Sequence, residues 1–125
     1  MAALRAPPGT GVNRRLPILA AVLWLLGGAN AVAGDADKGA LTIGRRACGS
    51  CHMIPGIEAA GGYVGPSLAG VASRAIIAGI LPNTPRTLAS WLRDPQAIKP
   101  RNAIPTMDLS DKEVADIIAY LETLR

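Results

Sequence analysis

The only two cysteines of the chain, Cys48 and Cys51, are separated by two residues and followed directly by its only histidine, His52. Three ordinary roles fit this arrangement poorly. A disulfide between cysteines so close in sequence would constrain little of the chain. A redox-active dithiol normally accompanies a βαβ pattern, which the sequence does not show. A zinc site needs four nitrogen or sulfur ligands, and these residue types supply three.

The same spacing is typical of covalent haem attachment. Two thiols separated by two residues can reach the two vinyl groups of one porphyrin and form thioether bonds. His52 is then placed beneath the ring, where an imidazole nitrogen can bind the iron. The intervening Gly49 and Ser50 are small enough to let the segment lie close to the macrocycle. We therefore predict one haem c, bonded to Cys48 and Cys51 and ligated by His52.

The composition indicates that such a group would help to complete the core. The 125 residues include no Phe, two Trp and two Tyr. A small domain with so few aromatic side chains buries little apolar surface, and scaffolds of this size usually depend on a disulfide, a metal or a cofactor. A haem would supply far more apolar surface than one disulfide.

An export segment is predicted at residues 1–33. Residues 1–15 are basic, residues 16–26 are almost purely apolar, and Ala31-Val32-Ala33 is a small-x-small pattern suited to signal peptidase. Cleavage after Ala33 would leave residues 34–125 as a monohaem cytochrome c domain. The alternative is an uncleaved anchor in the inner membrane, because residues 16–33 are close to the lower length of a membrane span. Either outcome predicts a periplasmic, oxidising location.

The net charge of +4 does not indicate a nucleic-acid partner. Arg5, Arg14 and Arg15 all precede the apolar segment, and the rest of the chain carries ten basic and nine acidic residues. It has no cluster of Lys and Arg with interleaved aromatic residues, which nucleic-acid binding would favour. We therefore predict no nucleic-acid binding, and membrane contact only if the N-terminal segment is retained.

Hydrophobic periodicity predicts an all-α domain. Helices are expected over residues 35–47, with Asp35 or Asp37 as the cap, around residues 68–74, and over residues 87–93, where Asp94-Pro95 should end the helix. Residues 55–66 and 96–107, rich in Gly or Pro, should be loops or extended chain. No strand pattern is visible.

The last helix has the clearest pattern. Ser110 and Glu113 form a predicted capping box at its start. A single apolar stripe follows, with Asp116 and Glu122 expected on the opposite face; the stripe consists of Val114, Ile117, Ile118 and Leu121. The chain therefore reads as three to five helices joined by loops that are long for so small a domain, and a haem would fill the space between them.

These features together resemble the class I c-type cytochromes of bacteria, over about residues 35–124. The matching pieces occur in order: the helix with Gly39, the Cys48–His52 segment, Gly65-Pro66-Ser67-Leu68, Leu88-Ala89-Ser90-Trp91-Leu92, a proline-flanked loop, and Tyr120-Leu121. The resemblance implies a small cytochrome c-like fold in which three to five helices wrap around one covalent haem and the first and last helices cross.

The resemblance also implies roles for single residues. Cys48 and Cys51 match the thioether residues and His52 the proximal iron ligand. Pro66 matches the proline whose carbonyl accepts a hydrogen bond from that histidine. Trp91 matches an aromatic residue at the haem edge, although plain core packing is an equal alternative. Gly39 and Tyr120 match the small and large partners at the helix crossing.

The second iron ligand departs from the family pattern, in which a methionine usually stands directly before a proline. Here Ile104 precedes Pro105, and Met107 lies two positions beyond it. We expect a shifted loop in which Met107 binds the iron, because no other soft ligand lies there. The alternative is that Met107 only packs in the core and the sixth position is open or weakly bound. Met53, directly after His52, should point away from the distal face.

The resemblance implies an electron carrier rather than an enzyme. Its expected redox partners are terminal oxidases, quinol-cytochrome c reductase or periplasmic dehydrogenases, met through small, transient contacts. The alternative function, raised by Ile104, is a five-coordinate haem protein that binds a small ligand or reduces peroxide. With no second histidine, its distal acid/base would have to be Arg101, Asp108 or Glu58. A third possibility is a small subunit that docks permanently on a larger enzyme and passes electrons to it.

Overall fold

The structure, a computed structural model, describes residues 32–125. Within them the elements follow one another as α1 (Ala36–Arg45), short 3₁₀ turns at Cys48–Ser50 and Val71–Ser73, β1 (Ile76–Ile77), β2 (Leu81–Pro82), α2 (Pro85–Arg93), α3 (Pro95–Ile98) and α4 (Asp111–Leu121). β1 and β2 pair antiparallel, with Ile76 opposite Pro82 and Ile77 opposite Leu81. The expectation of a mostly helical domain with three to five helices is confirmed.

The first and last helices begin where their capping residues predict. The Asp35 carboxylate accepts the backbone N–H groups of Asp37 and Lys38, which satisfies two free donors at the start of α1. At α4, the Ser110 side chain accepts the Glu113 N–H while the Glu113 carboxylate accepts the Ser110 N–H. This reciprocal pair is the predicted capping box.

α1 and α4 cross in direct contact at Gly39. A Cβ atom at this position would overlap the backbone carbonyl of Asp116 and lie 2.9 Å from Cβ of Tyr120. Only glycine therefore allows the two helix backbones to approach this closely. The predicted pairing of a small residue on the first helix with Tyr120 on the last is confirmed.

The core is one cluster of mainly aliphatic side chains. It joins α1, the loop after the Cys48–His52 segment, β1, α2 and α4 through Ile43, Ile54, Ala60, Val71, Ile77, Leu88, Ile117 and Leu121. Cys48 is half-buried and packs against this cluster. The Cys48–His52 segment is therefore fixed to the core at its first cysteine.

Two expectations about secondary structure are wrong. The sequence shows no strand pattern because β1 and β2 are only two residues long, too short for any alternation. Extended chain is predicted over residues 96–107, but Pro95–Ile98 forms a helical turn, α3. Asp94 both ends α2 and caps α3, its carboxylate accepting the Ala97 N–H at 2.9 Å. Pro95 then occupies the first helical position, which proline favours.

The start of α2 and the placement of Asp116 also differ from the expectation. α2 begins at Pro85 rather than Thr87, because Thr84 and Thr87 form a capping box around a proline that fits the first turn. Asp116, expected on the solvent face of α4, is buried with 4% of its surface exposed. Its carboxylate faces the start of α1, where it accepts the Asp35 N–H. Glu122 is exposed as expected.

The predicted export segment at residues 1–33 lies outside the described residues except for its last two positions, so its cleavage or retention stays a prediction. In the part of the chain that the structure covers, no helix is both long and apolar enough to span a membrane.

Candidate functional site

The Cys48–His52 segment is presented by a tight reversal after α1. Ala47 adopts a left-handed backbone with φ of 54°, which turns the chain out of the helix. Cys48–Ser50 then forms one 3₁₀ turn, and the His52 N–H donates to the Cys48 carbonyl at 3.1 Å. This turn brings the ends of the segment together, so that both cysteines and the histidine belong to one compact unit.

The loop after His52 packs directly onto the Cys48–His52 segment at positions occupied by glycine. The Gly62 N–H donates to the Gly49 carbonyl at 3.0 Å, and the Gly65 N–H donates to the Cys51 carbonyl at 2.8 Å. A Cβ at Gly49 would lie 2.6 Å from Cα of Ala60. The glycines therefore let two backbone segments lie in direct contact.

The His52 ring is held in one orientation. Its Nδ1 lies 2.7 Å from the Pro66 carbonyl oxygen. A carbonyl only accepts hydrogen bonds, so Nδ1 carries the proton and donates it. The unprotonated Nε2 is then the ring nitrogen that can bind a metal. A Cβ at Gly65 would lie 2.7 Å from Nδ1, so the ring also needs glycine at that position.

The two thiols are free and half-buried. Burial raises the pKa of the Cys48 thiol, which keeps it protonated, whereas a reactive dithiol needs a lowered thiol pKa. No group of three or more His, Cys, Asp or Glu residues within residues 32–125 could hold a metal ion. The geometry therefore gives no support to the dithiol or zinc alternatives.

The other predicted site residues differ in what the structure shows of them. Pro66 lies directly against His52. Trp91 is half-buried on α2, and its contact with the haem edge stays a prediction. Met107 is half-buried in the segment between α3 and α4, and its role as an iron ligand also stays a prediction. The Met53 sulfur accepts a hydrogen bond from the Ser67 hydroxyl at 3.8 Å.

One residue near the site was not identified from the sequence. Arg46, two positions before Cys48, donates from Nη1 to the Met107 carbonyl at 3.2 Å and from Nη2 to the Glu113 carboxylate at 2.9 Å. These partners are more than 60 positions away in the chain. A basic residue beside the motif is the only local signal, and it does not reveal either partner.

Comparison with known proteins adds the family. Residues 36–125 match the family model described as "Cytochrome c". The chain is 35% identical over 96 residues to cytochrome c-552 of Bradyrhizobium diazoefficiens, covering 77% of this chain and 81% of that protein.

Two further similarities were found. The chain is 34% identical over 91 residues to cytochrome c oxidase subunit 2 of Alkalihalophilus pseudofirmus, but this match covers 72% of the chain and spans only 26% of that subunit. The fold resembles that of cytochrome c2 from Rhodobacter sphaeroides, with a TM-score of 0.57 and 19% identity over 73% of this chain and 96% of that structure.

The residues present fit the haem c that the family carries. Cys48 and Cys51 are free thiols on one short turn, as two thioether bonds to one porphyrin require. His52 has one ring nitrogen satisfied by Pro66 and the other left for iron. Gly65 keeps the space beside the imidazole ring of His52 free of a side chain. On its sequence and its fold, the chain belongs to the cytochrome c family, whose members transfer electrons through a covalently attached haem.

Proposed function

We propose that this chain is an exported single-haem electron carrier in which His52 binds the iron on one side and Met107 on the other. The observation that carries the proposal is the 2.7 Å hydrogen bond from His52 Nδ1 to the Pro66 carbonyl. It is the contact expected of a metal-binding histidine, since such residues almost always donate their other ring N–H to a fixed acceptor.

This hydrogen bond would act in two ways. It fixes the tautomer, so that Nε2 is always the coordinating atom, and it prevents rotation of the ring about its Cβ–Cγ bond. Donation to a carbonyl also makes Nε2 a stronger base. When bound, the haem would supply an iron that accepts one electron from a donor and passes it to an acceptor. His52 would hold its coordinating nitrogen in one orientation through the bond to Pro66.

Met107 is the second ligand in this proposal. The chain has three methionines, and Met1 belongs to the predicted export segment. Met53 is already engaged through its sulfur with Ser67. Met107 remains, half-buried in the segment between α3 and α4. Histidine–methionine ligation keeps the iron six-coordinate and raises its reduction potential relative to two histidines.

The five-coordinate alternative has one sequence observation in its favour, Ile104 in the position that usually holds methionine. Its candidate acid/base residues are Arg101, Asp108 and Glu58. All three are exposed. A distal acid/base has to lie within hydrogen-bonding reach of the reacting ligand. The match to the cytochrome c family favours the electron carrier, and the alternative rests on Ile104 alone.

A terminal oxidase is the proposed electron acceptor, with a quinol-cytochrome c reductase or a periplasmic dehydrogenase as the donor. The support is the 34% identity to part of a cytochrome c oxidase subunit 2, which indicates that a domain of this kind is found within an oxidase. The predicted export segment would direct the carrier to the periplasm. Outside that segment the charges nearly balance, which favours a brief contact over strong electrostatic steering.

Optical spectroscopy tests the ligand set. The full-length protein, produced with the c-haem maturation system, should show two thioether bonds by the pyridine haemochrome spectrum and the weak red band of a sulfur–ferric iron bond. Met107→Ala should lose that band and bind carbon monoxide readily, whereas the control Met53→Ala should behave like the wild type. A band that survives in Met107→Ala would contradict Met107 as the ligand.

Electron transfer is tested separately. The reduced protein, mixed with a purified terminal oxidase, should be reoxidised with consumption of oxygen. Reoxidation by hydrogen peroxide at a comparable rate, without oxidase, would instead support the five-coordinate alternative. The optical spectra thus test the ligand set, and the reoxidation experiment tests the choice of partner.

A further inference from the structure

We propose that Arg46 is a positioning residue that holds the backbone of Met107 in place, by joining it to the Glu113 carboxylate at the start of α4. This inference rests on the proposed role of Met107 as an iron ligand.

The first observation is the geometry of the bridge, the set of hydrogen bonds from Arg46 to Met107 and Glu113. Arg46 donates from Nε and Nη2 to Oε1 of Glu113, at 3.3 and 2.9 Å, and from Nη1 to the Met107 carbonyl, at 3.2 Å. A guanidinium carries five N–H donors in one rigid plane, so a single arginine can hold two partners in a fixed relation. A lysine ammonium cannot reproduce that arrangement.

The second observation is that the anchor itself is fixed. Oε2 of Glu113 accepts both the N–H and the hydroxyl of Ser110 at 2.9 Å, which leaves Oε1 for Arg46. The Arg46 and Glu113 side chains are 35% and 25% exposed. An ion pair this open to solvent adds little stability by itself, so the bridge acts by fixing geometry. Its hydrogen bonds hold the guanidinium at the start of α4.

The third observation concerns the backbone beside Met107. Asp108 has φ of 45°, a left-handed conformation that a non-glycine residue adopts at a cost. Such a conformation persists only where its surroundings hold it. Leu109 packs against the core on the far side, and the Arg46 contact holds the carbonyl on the near side. The bridge therefore acts directly beside a left-handed, non-glycine residue of the Met107 segment.

The position of Arg46 in the chain explains why the bridge would affect the iron ligand. Arg46 caps the C-terminal end of α1, two residues before Cys48. The bridge thus connects the segment that would carry the haem with the segment that would supply the second ligand. Without it, the Met107 segment should leave the iron more often, and external ligands should enter more readily.

The test measures the rate at which imidazole binds to the ferric holoprotein. The signal is the loss of the sulfur–iron band. Arg46→Met should bind imidazole on the order of tenfold faster than the wild type, as expected for loss of a charge-assisted hydrogen bond. Arg46→Lys should fall between them. Arg45→Met is the matched control, because the guanidinium of this neighbouring arginine donates to the Thr42 hydroxyl, whereas the Met107 carbonyl accepts from Arg46. It should bind imidazole at the wild-type rate.

The outcomes separate this inference from the proposed function. If Met107→Ala loses the band but Arg46→Met and Arg46→Lys both bind imidazole at the wild-type rate, Met107 stands as the ligand and the bridge is overturned. If Met107→Ala keeps the band, the ligand assignment fails and the bridge fails with it. Should Arg46→Met not fold, Glu113→Gln replaces it, because its amide oxygen can still cap Ser110 while the charge facing Arg46 is lost. Faster binding in that variant supports the bridge, and an unchanged rate overturns it.

Discussion

The carboxylate of Asp116 accepts a hydrogen bond from the backbone N–H of Asp35 at 2.8 Å. The same carboxylate pairs with the ammonium group of Lys112, one turn earlier on α4. This ammonium, more than any other group, holds the pKa of Asp116 below its usual value. A single buried side chain of the last helix therefore satisfies one of the free donors at the start of the first helix.

We expect two substitutions of Asp116 to lower the melting temperature by different amounts. Asp116→Asn retains an oxygen that can accept the Asp35 N–H but loses the charge that pairs with Lys112. Asp116→Leu loses both, and it leaves a partly buried backbone donor without a partner, which costs more than a lost surface contact. Thermal unfolding should give the highest melting temperature for the wild type, a lower one for Asp116→Asn and the lowest for Asp116→Leu. The control Glu122→Gln removes an exposed charge directly after α4 and should unfold like the wild type. Equal stability of the two Asp116 variants would contradict the role of the acceptor.

Two glycines of α1 should respond oppositely to alanine. Gly39→Ala should lower the free energy of unfolding by about 1–3 kcal/mol, because the new methyl group would overlap the Asp116 carbonyl. Gly44→Ala should raise it by about 0.5–1 kcal/mol, because no atom lies within 4 Å of the added Cβ and alanine favours the helix. Urea unfolding of the two variants measures both effects. Equal responses would show that the close helix crossing does not depend on Gly39.

The features that the sequence predicts correctly are those encoded within a few residues. The capping box of Ser110 and Glu113 spans four positions, and the apolar stripe that follows it repeats with the helical period. Asp94-Pro95 shows the limit of such local reading. A proline after aspartate correctly indicates the end of α2, but the same pair also starts α3, because Asp94 caps and Pro95 fits the first turn.

The features that could not be predicted depend on distant residues. Asp116 lies off the apolar stripe of α4, and its burial follows from the close approach of α1 at Gly39. The Arg46 bridge joins residues more than 60 positions apart. The resemblance to known cytochromes points to Pro66 as a partner of His52, but composition and periodicity alone do not.

Tyr120 links the last helix to the loop after His52. Its hydroxyl donates to the Pro55 carbonyl at 2.6 Å. Tyr120→Phe keeps the ring and loses this hydrogen bond, so the free energy of unfolding should fall by about 1 kcal/mol. Tyr63→Phe is the matched control, because Tyr63 is 87% exposed and should contribute nothing measurable. Denaturant titrations of the holoproteins compare the two; wild-type stability in Tyr120→Phe would show that the Pro55 carbonyl is equally well satisfied by water.

Glu113 should make the free energy of unfolding depend on pH in the acidic range. The Ser110 backbone N–H, followed by the Arg46 guanidinium, lowers the pKa of Glu113 from 4.5 to about 2. A folded-state pKa below the unfolded value means that the unfolded chain binds the proton more readily. The stabilisation by Glu113 is therefore complete above pH about 4.5 and is lost as the pH falls toward 2.

Unfolding by urea at about pH 6 and about pH 3 measures this contribution, because the two values lie on either side of the unfolded-state pKa. The wild type should lose more stability between the two than Glu113→Gln, which has no charge to protonate. The difference between the two proteins should also shrink in high salt, because the pair with Arg46 is partly exposed and is screened. An identical loss in both proteins would assign the acid sensitivity to other carboxylates, such as Asp35 and Asp116.

Gly65 should control the orientation of the proposed iron ligand. A Cβ at this position would overlap the His52 ring, so Gly65→Ala must displace either the imidazole or the backbone that carries the Pro66 carbonyl. Both changes lengthen the hydrogen bond from His52 Nδ1, which would make Nε2 a weaker ligand. Gly61→Ala is the matched control in the same loop, because an added Cβ there has no atom within 4 Å. We expect Gly65→Ala to incorporate less haem and to shift the reduction potential in redox titration, while Gly61→Ala retains both values. If both variants matched the wild type, the loop would be free to move aside, and the fixed contact between His52 and Pro66 would not be what orients the ligand.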